Sequence, residues 1–240
     1  LAQTLNASLH GRDADYAGAS IDTRRLERNA LFFALPGARV DGHDFVGRAA
    51  SLGAAAAVVA RVVDSPLPQL VVADVEQALQ QAGAASRRAF DGTVIGVTGS
   101  NGKTTGKQML AAILAEAGSV LATEGNLNNH LGVPITLMRL NDSVKRAVVE
   151  MGASHAGEIA MLAELARPQV GVVTNAGMAH IEGFGSREGV ARAKGEMFAG
   201  LDADGIAVIN GDDDFAPLWQ ELAGARRRLV FARHARAEAD

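Results

Sequence analysis

The chain has 240 residues, no cysteine and a formal net charge of −4, with 48% hydrophobic and 21% charged residues. Those figures exclude a disulfide framework and a thiolate metal centre, and they give no electrostatic footprint for a nucleic-acid partner. The longest apolar run, residues 52–60 (LGAAAAVVA), is too short for a membrane span, and no signal peptide is visible. An ordinary globular composition of this length suggests one or two domains, at roughly 150 residues each. Residue 1 is leucine rather than methionine, so a trimmed chain or missing leading residues is expected.

From the N-terminus, SIDTRR (20–25) precedes a short apolar strand in ALFFALPG (30–37), closed by a Pro-Gly turn. Residues 41–54 predict a turn leading into an alanine-rich helix with Phe45, Ala49 and Leu52 on one face. AAAVVA and QLVVAD predict short buried strands, and 75–83 a helix capped by Gly83. Residues 1–83 are therefore expected to form one unit. The polar, mixed stretch 84–92 is the expected junction, and 93–240 the second unit. In that unit Met109, Leu110, Ile113 and Leu114 form the stripe of a helix packed on a sheet, with Gly118 just past its end. A strand at 145–149 ends at Glu150. Ser154 is placed to cap a helix with Ile159, Leu162 and Leu165 inward, stopped by Pro168. A strand at 170–174, a helix at 188–201 and strands at 206–210 and 228–232 follow. Strands alternating with helices of this length predict an α/β protein with a mainly parallel sheet.

The densest chemistry lies in TVIGVTGSNGKTT, residues 93–105. A β-branched strand enters a turn of Gly99, Ser100, Asn101 and Gly102, and a helix opens on Lys103, Thr104 and Thr105. Glycine lets backbone N–H groups turn toward phosphate oxygens; Lys103 adds a point charge, and the Thr104 hydroxyl suits Mg²⁺. The strict phosphate-loop pattern wants glycine at 97, where the chain has Val97. The alternative is an ordinary glycine-rich strand–helix turn.

Ligands of open α/β sheets bind beyond the carboxyl ends of the strands. Two further polar sites fall there: Glu150, and the segment from Asn175 to His180. Glu150 suits a hard cation, or caps a nearby turn. His180 alone is as readily a hydrogen-bonded structural residue, and Lys194, beside Glu196 on a helix, a solvated one. The asparagine-rich loop GNLNNHLGVP (125–134) either holds ligand or satisfies itself. Arg226 to Arg228 reads as a solvated charge run.

GVTGSNGKTT, GNLNNHLGVPITL, VVEMGASHAGEI, VVTNAGMAHIEGFGS and GVARAKGEMF occur in an order that resembles the Mur ligase family, the cytoplasmic ATP-dependent amide ligases of peptidoglycan synthesis. SIDTRR, LFFALPG and DGHDF resemble the family's UDP-substrate domain. The resemblance implies a small α/β N-terminal substrate domain, then a P-loop-type central ATPase domain, with the C-terminal domain absent and the fragment inactive alone. Within the family the segments EMGASHAGEI and AHIEGFGS are most like the ligase that joins D-alanyl-D-alanine to UDP-N-acetylmuramoyl-tripeptide through an acyl phosphate. ATP and Mg²⁺ are the implied cofactors.

By the same resemblance Lys103 contacts ATP phosphates, Thr104 and Glu150 hold Mg²⁺, and His180 binds a second Mg²⁺. Lys194 matches a lysine carbamylated in members of the family, which turns a cation into an anionic metal ligand. Asn126, Asn128 and Asn129 line the substrate cleft, and Asn175 lies near the nucleotide. Ser20, Thr23 and Arg24 meet the uridine diphosphate, with Asp41, Gly42 and His43 nearby. A cytoplasmic monomer with no nucleic-acid partner is expected. The alternatives are another Mur ligase, a folylpolyglutamate synthase-like ligase, a P-loop kinase, or a non-catalytic nucleotide-binding module.

Overall fold

The computed structural model describes residues 1–37, 40–179 and 181–233. The chain divides into two compact units, 1–89 with 137–139 and 90–136 with 140–240.

Unit 1 is built on β1 (Ser8–His10), β2 (Ala19–Ser20), β3 (Leu31–Phe33), β4 (Ala56–Val59) and β5 (Gln69–Val71), in sheet order β1-β5-β4-β3-β2. Only β1 runs antiparallel to its neighbour. The central strands β3 and β4 are buried at every residue, which is why they read as unbroken apolar runs. Helix α1 (Val46–Ser51) packs Val46 and Ala49 against Phe32, Ala57 and Val59. Phe45 and Leu52, expected on the buried face, are exposed. A 3₁₀ turn at Gly42–Phe45 precedes the helix, so its buried register starts at Val46 rather than Phe45. Helix α2 (Val75–Ala89) runs through the stretch expected as a junction, with Gly83 buried in its middle instead of capping it. No breaker lies between residues 84 and 89, and a mid-helix glycine costs only about 1 kcal/mol.

Unit 2 carries β6 (Thr93–Thr98), β7 (Val120–Ala122), β8 (Arg146–Glu150), β9 (Val170–Val173), β10 (Ile206–Asn210) and β11 (Arg227–Phe231), all pairings parallel, in order β11-β10-β9-β6-β8-β7. Helix α3 (Lys103–Ala115) lays Leu110 and Leu114 on a layer of Ile95, Val97, Val148 and Val172. Met109 and Ile113, expected in that stripe, are 60% and 65% exposed. The buried face is centred one residue later and includes Lys107, which takes a place an apolar side chain would ordinarily hold.

The other helices are α4 (Gly132–Leu137), whose last residue falls in unit 1, and, in unit 2, α5 (Glu158–Ala166), α6 (Ile181–Phe184), α7 (Arg187–Ala199) and α8 (Ala216–Ala223). Ser154 does not cap α5. The N-cap is Gly157, and the Glu196 carboxylate of α7 accepts the N–H groups of Gly157 (2.7 Å) and Ala160 (3.1 Å). Trp219 of α8 is fully buried and donates Nε1–H to the Ala191 carbonyl at 2.9 Å. No helix among the described residues is long and apolar enough to cross a membrane.

Strand β6 lies between β8 and β9, so the chain leaves it in opposite directions across the sheet. The register pairs Val97 with Glu150 and Thr98 with Val173. The phosphate loop, Glu150 and the segment after β9 therefore open at one switch point of the sheet, where α/β proteins place ligands.

Candidate active site

The loop after β6 is shaped by two glycines. Gly99 has φ +144°, and a Cβ there would run into Thr174 Oγ1; Gly102 has φ +78° and opens α3 without a side-chain cap. The first-turn N–H groups of α3 thus remain available to an anion. Asn175 clamps the tip: its Oδ1 accepts the Asn101 N–H (3.0 Å), its Nδ2 donates to the Asn101 carbonyl (2.9 Å), and its own carbonyl accepts from Ser100 N (3.0 Å). The Thr174 hydroxyl donates to the same Asn101 carbonyl at 2.7 Å. Ser100 Oγ is buried without a hydrogen-bond partner among the described residues, an orphan that a ligand oxygen would satisfy. Lys103 Nζ donates to the carbonyls of Gly99 (2.8 Å) and Ser100 (3.3 Å). Burial lowers its pKa below the usual lysine range, against the pull of the Glu150 charge.

Glu150, only 2% exposed, is held on every side. Thr104 Oγ1 donates to Oε2 at 3.1 Å, Lys107 Nζ lies 3.1 Å from the same oxygen, and Asn128 Nδ2 donates to Oε1 at 2.9 Å. Its backbone N–H donates to Thr123 Oγ1 at 2.9 Å. A threonine hydroxyl beside a carboxylate is a set of hard oxygens that fits a hard cation. Among the described residues no group of three or more His, Asp or Glu side chains could hold a metal. A cation here would draw its remaining ligands from phosphate and water.

Lys194 is not on a solvated face. It is 2% exposed, donates to the Ala153 carbonyl at 3.2 Å and sits 5.1 Å from the centre of the Phe184 ring. Burial first, and then the charge of Lys103, bring its pKa down to about 8, while Glu158 and Glu196 resist the shift. Gly99, Ser100, Lys103, Asn128, Glu158 and Lys194 line one cavity of about 380 Å³. A glycine loop with Lys103 at its end, opening on this space, suits phosphate oxygens.

The model of the Mur ligase middle domain matches residues 97–239, and that of the Mur ligase family catalytic domain matches 15–112. The chain belongs to the Mur ligase family. It is 46% identical over 235 residues to the UDP-N-acetylmuramoyl-tripeptide–D-alanyl-D-alanine ligase of Escherichia coli, covering 98% of this chain and 52% of the relative. It is 45% identical to that of Bacillus subtilis, covering 82% and 44%. A MurF crystal structure from Acinetobacter baumannii superposes with TM-score 0.86 at 38% identity, over 95% of this chain and 51% of that one. MurF from Thermotoga maritima in complex with ADP gives 0.79 at 34%, over 94% and 52%. The chain spans about half the length of the curated relatives it matches.

The remaining expected site residues of this Mur ligase chain divide by unit. In unit 2, Thr105 follows Thr104 in the exposed first turn of α3. Asn129 lines the cavity, yet its Oδ1 already accepts from Gly132 N (2.9 Å) and Leu131 N (3.3 Å) at the start of α4. Asn126 is exposed and is not among the residues lining that cavity. His180 lies outside the described residues.

In unit 1, Thr23, Arg24 and Gly42 line a groove of about 680 Å³ together with Phe32, Phe45 and Arg48. Arg24 is mostly exposed and forks onto Asp22, Nε–Oδ1 2.9 Å and Nη2–Oδ2 2.6 Å. Ser20 is turned to its own strand end, donating to the Asp22 carbonyl at 2.9 Å. His43 is buried: Nε2 accepts from Ala60 N at 2.9 Å, so the proton is assigned to Nδ1, 2.6 Å from Asp41 Oδ1. The His43 backbone N–H, the Arg61 guanidinium and the His43 ring hold the Asp41 carboxyl well below the usual carboxylate range.

Lys107, Thr123, Thr174 and Asp213, whose Oδ2 accepts from Ala176 N at 2.9 Å, were not anticipated. Lys107 had a signal: it lies four residues after Lys103 and three after Thr104, hence on the same helix face.

Proposed function

We propose that this chain carries the nucleotide- and UDP-substrate-binding parts of an ATP-dependent ligase that joins D-alanyl-D-alanine to UDP-N-acetylmuramoyl-tripeptide, acting in the cytoplasm as a monomer. The observation that carries the reading is the single cavity that gathers the phosphate loop, Lys103 and the buried Lys194 next to Glu150, in a chain nearly half identical to named ligases of that reaction. Unit 2 would take ATP, and the groove of unit 1 the uridine diphosphate end of the substrate, through Thr23, Arg24 and Arg48.

A carboxylate is a poor acyl donor. In the proposed reaction its oxygen attacks the γ-phosphorus of ATP and ADP leaves, giving an acyl phosphate. The amine of D-alanyl-D-alanine then attacks the acyl carbon, phosphate departs, and the new amide nitrogen loses its proton. Lys103 would exchange the carbonyls of Gly99 and Ser100 for phosphate oxygens, and the loop N–H groups and Ser100 Oγ would hold the transferred phosphoryl group. Thr104 and Glu150 would hold Mg²⁺, whose chemistry when bound is neutralisation of phosphoryl charge. Lys194, with its pKa near 8, would supply a neutral amine to attack CO₂; an N–C bond forms, a proton is released, and the anionic carbamate replaces a cation at the site.

Titration calorimetry on the 240-residue chain tests the reading. UDP-N-acetylmuramoyl-tripeptide and ATP are expected to bind independently, with Lys103→Ala weakening ATP alone. Binding of a folate in place of the UDP-tripeptide would overturn the substrate assignment, and loss of both ligands in Lys103→Ala would overturn the division between the units.

A further inference from the structure

The phosphate-loop helix buries a second lysine that the proposed chemistry does not use. Lys107 and Glu150 have side chains only 4% and 3% exposed, and Nζ lies 3.1 Å from Oε2. It also donates to the Gly125 carbonyl at 3.5 Å. Burying such a pair is a poor source of stability, because desolvation offsets the attraction and an apolar pair of the same volume usually serves as well. Lys103, the other lysine of the loop, is turned to the carbonyls of Gly99 and Ser100. Among the described residues Lys107 is therefore the cation in direct contact with the carboxylate, and it sits on the same oxygen that receives the Thr104 hydroxyl.

We infer that Lys107 is a positioning residue that keeps Glu150 from taking a free divalent cation, so that the site accepts the metal only together with the nucleotide's phosphates. This rests on the reading of Glu150 and Thr104 as cation ligands. With Lys107 in place the pair is neutral, and a cation arriving alone meets an ammonium about 3 Å from its intended ligand oxygen. A metal–nucleotide complex brings its own anionic oxygens, which supply the charge that Lys107 has cancelled. The small number of carboxylates points the same way: no cluster of acidic side chains among the described residues could hold a bare ion. Lys107 also fixes the Oε2 side of Glu150 while Asn128 fixes Oε1, so the carboxylate is oriented before any metal arrives.

The test measures Mn²⁺ binding by the electron paramagnetic resonance of the free ion, with and without ADP. The native protein is expected to bind Mn²⁺ at least tenfold more tightly with ADP than without it. Lys107→Met, which removes the charge at similar volume, is expected to gain about tenfold or more in affinity for Mn²⁺ alone, and Lys107→Met with Glu150→Gln to lose that gain. Lys107→Gln keeps a donor without the charge and should reproduce the gain, deciding the matter if Lys107→Met does not fold by circular dichroism. Nucleotide-free affinity equal in the native protein and a folded Lys107 variant would overturn the inference while leaving the cation site intact, provided both bind Mn²⁺ with ADP. Absence of Mn²⁺ binding with ADP in the native protein would overturn the cation site itself, and this inference with it.

Discussion

The two units place their polar residues in opposite ways. In unit 2 Gly99, Ser100, Lys103 and Lys194 face one cavity, and the supporting hydrogen bonds come from behind, from Thr174 and Asn175. In unit 1 the motif Asp41-Gly42-His43 is spent on its own scaffold: Asp41 binds His43 and Arg61, and His43 binds the Ala60 amide. Only Thr23, Arg24 and Gly42 of the expected substrate residues border the groove. A motif can thus mark a ligand site by shaping the backbone around it as well as by touching the ligand.

The largest expected effect tests that scaffold role. A Cβ on Gly42 would come within 2.6 Å of the Ala34 and Leu35 backbones, so Gly42→Ala should destabilise unit 1 by roughly 2–3 kcal/mol. Faster hydrogen exchange of the β3 and β4 amides, with ATP affinity retained, is the expected signature; unchanged exchange would show that Gly42 serves the groove rather than the scaffold.

Lys103→Ala addresses the other side of the comparison. Its ATP affinity should fall about tenfold to a hundredfold, since a charge-assisted contact to phosphate is lost, while the melting temperature stays within a degree or two.

For Lys194, a pKa near 8 makes the neutral amine about a tenth of the population at pH 7 and about nine tenths at pH 9. Forming the carbamate also releases a proton, so at constant dissolved ¹³CO₂ a lysine carbamate signal should grow by well over tenfold as pH rises through that range, until the site is saturated. It should vanish in Lys194→Arg. A signal independent of pH would contradict the buried, charge-crowded environment.

The smallest expected effect is at Arg24. Its pair with Asp22 is exposed and belongs to neighbouring residues, so Arg24→Ala should leave the melting temperature unchanged. Weaker binding of the UDP-tripeptide at unchanged stability would make Arg24 a ligand contact, and no change in either would remove it from the groove's function.

The sequence by itself determined the features that depend on neighbours along the chain. Strand, glycine turn and helix at 93–105 follow from local backbone demands, and the alternation of elements after Thr93 is enough to imply a parallel sheet. Pro168 directly after the C-cap of α5 stops that helix for the same local reasons, while Gly118, expected at C′ of α3, lies two residues past its C-cap Glu116. The tertiary structure decided what depends on the partner across a gap. Lys194 reads as a solvated helix residue until the Ala153 carbonyl and Phe184 close over it. Ser154 reads as a helix cap until Glu196, from another helix, supplies the capping oxygens. Met109 and Ile113 read as core until the sheet takes the face of α3 that carries Leu110, Leu114 and Lys107. Periodicity tells which residues share a face; which face is buried, and hence which charges are desolvated and paired, is set by packing between segments distant in sequence.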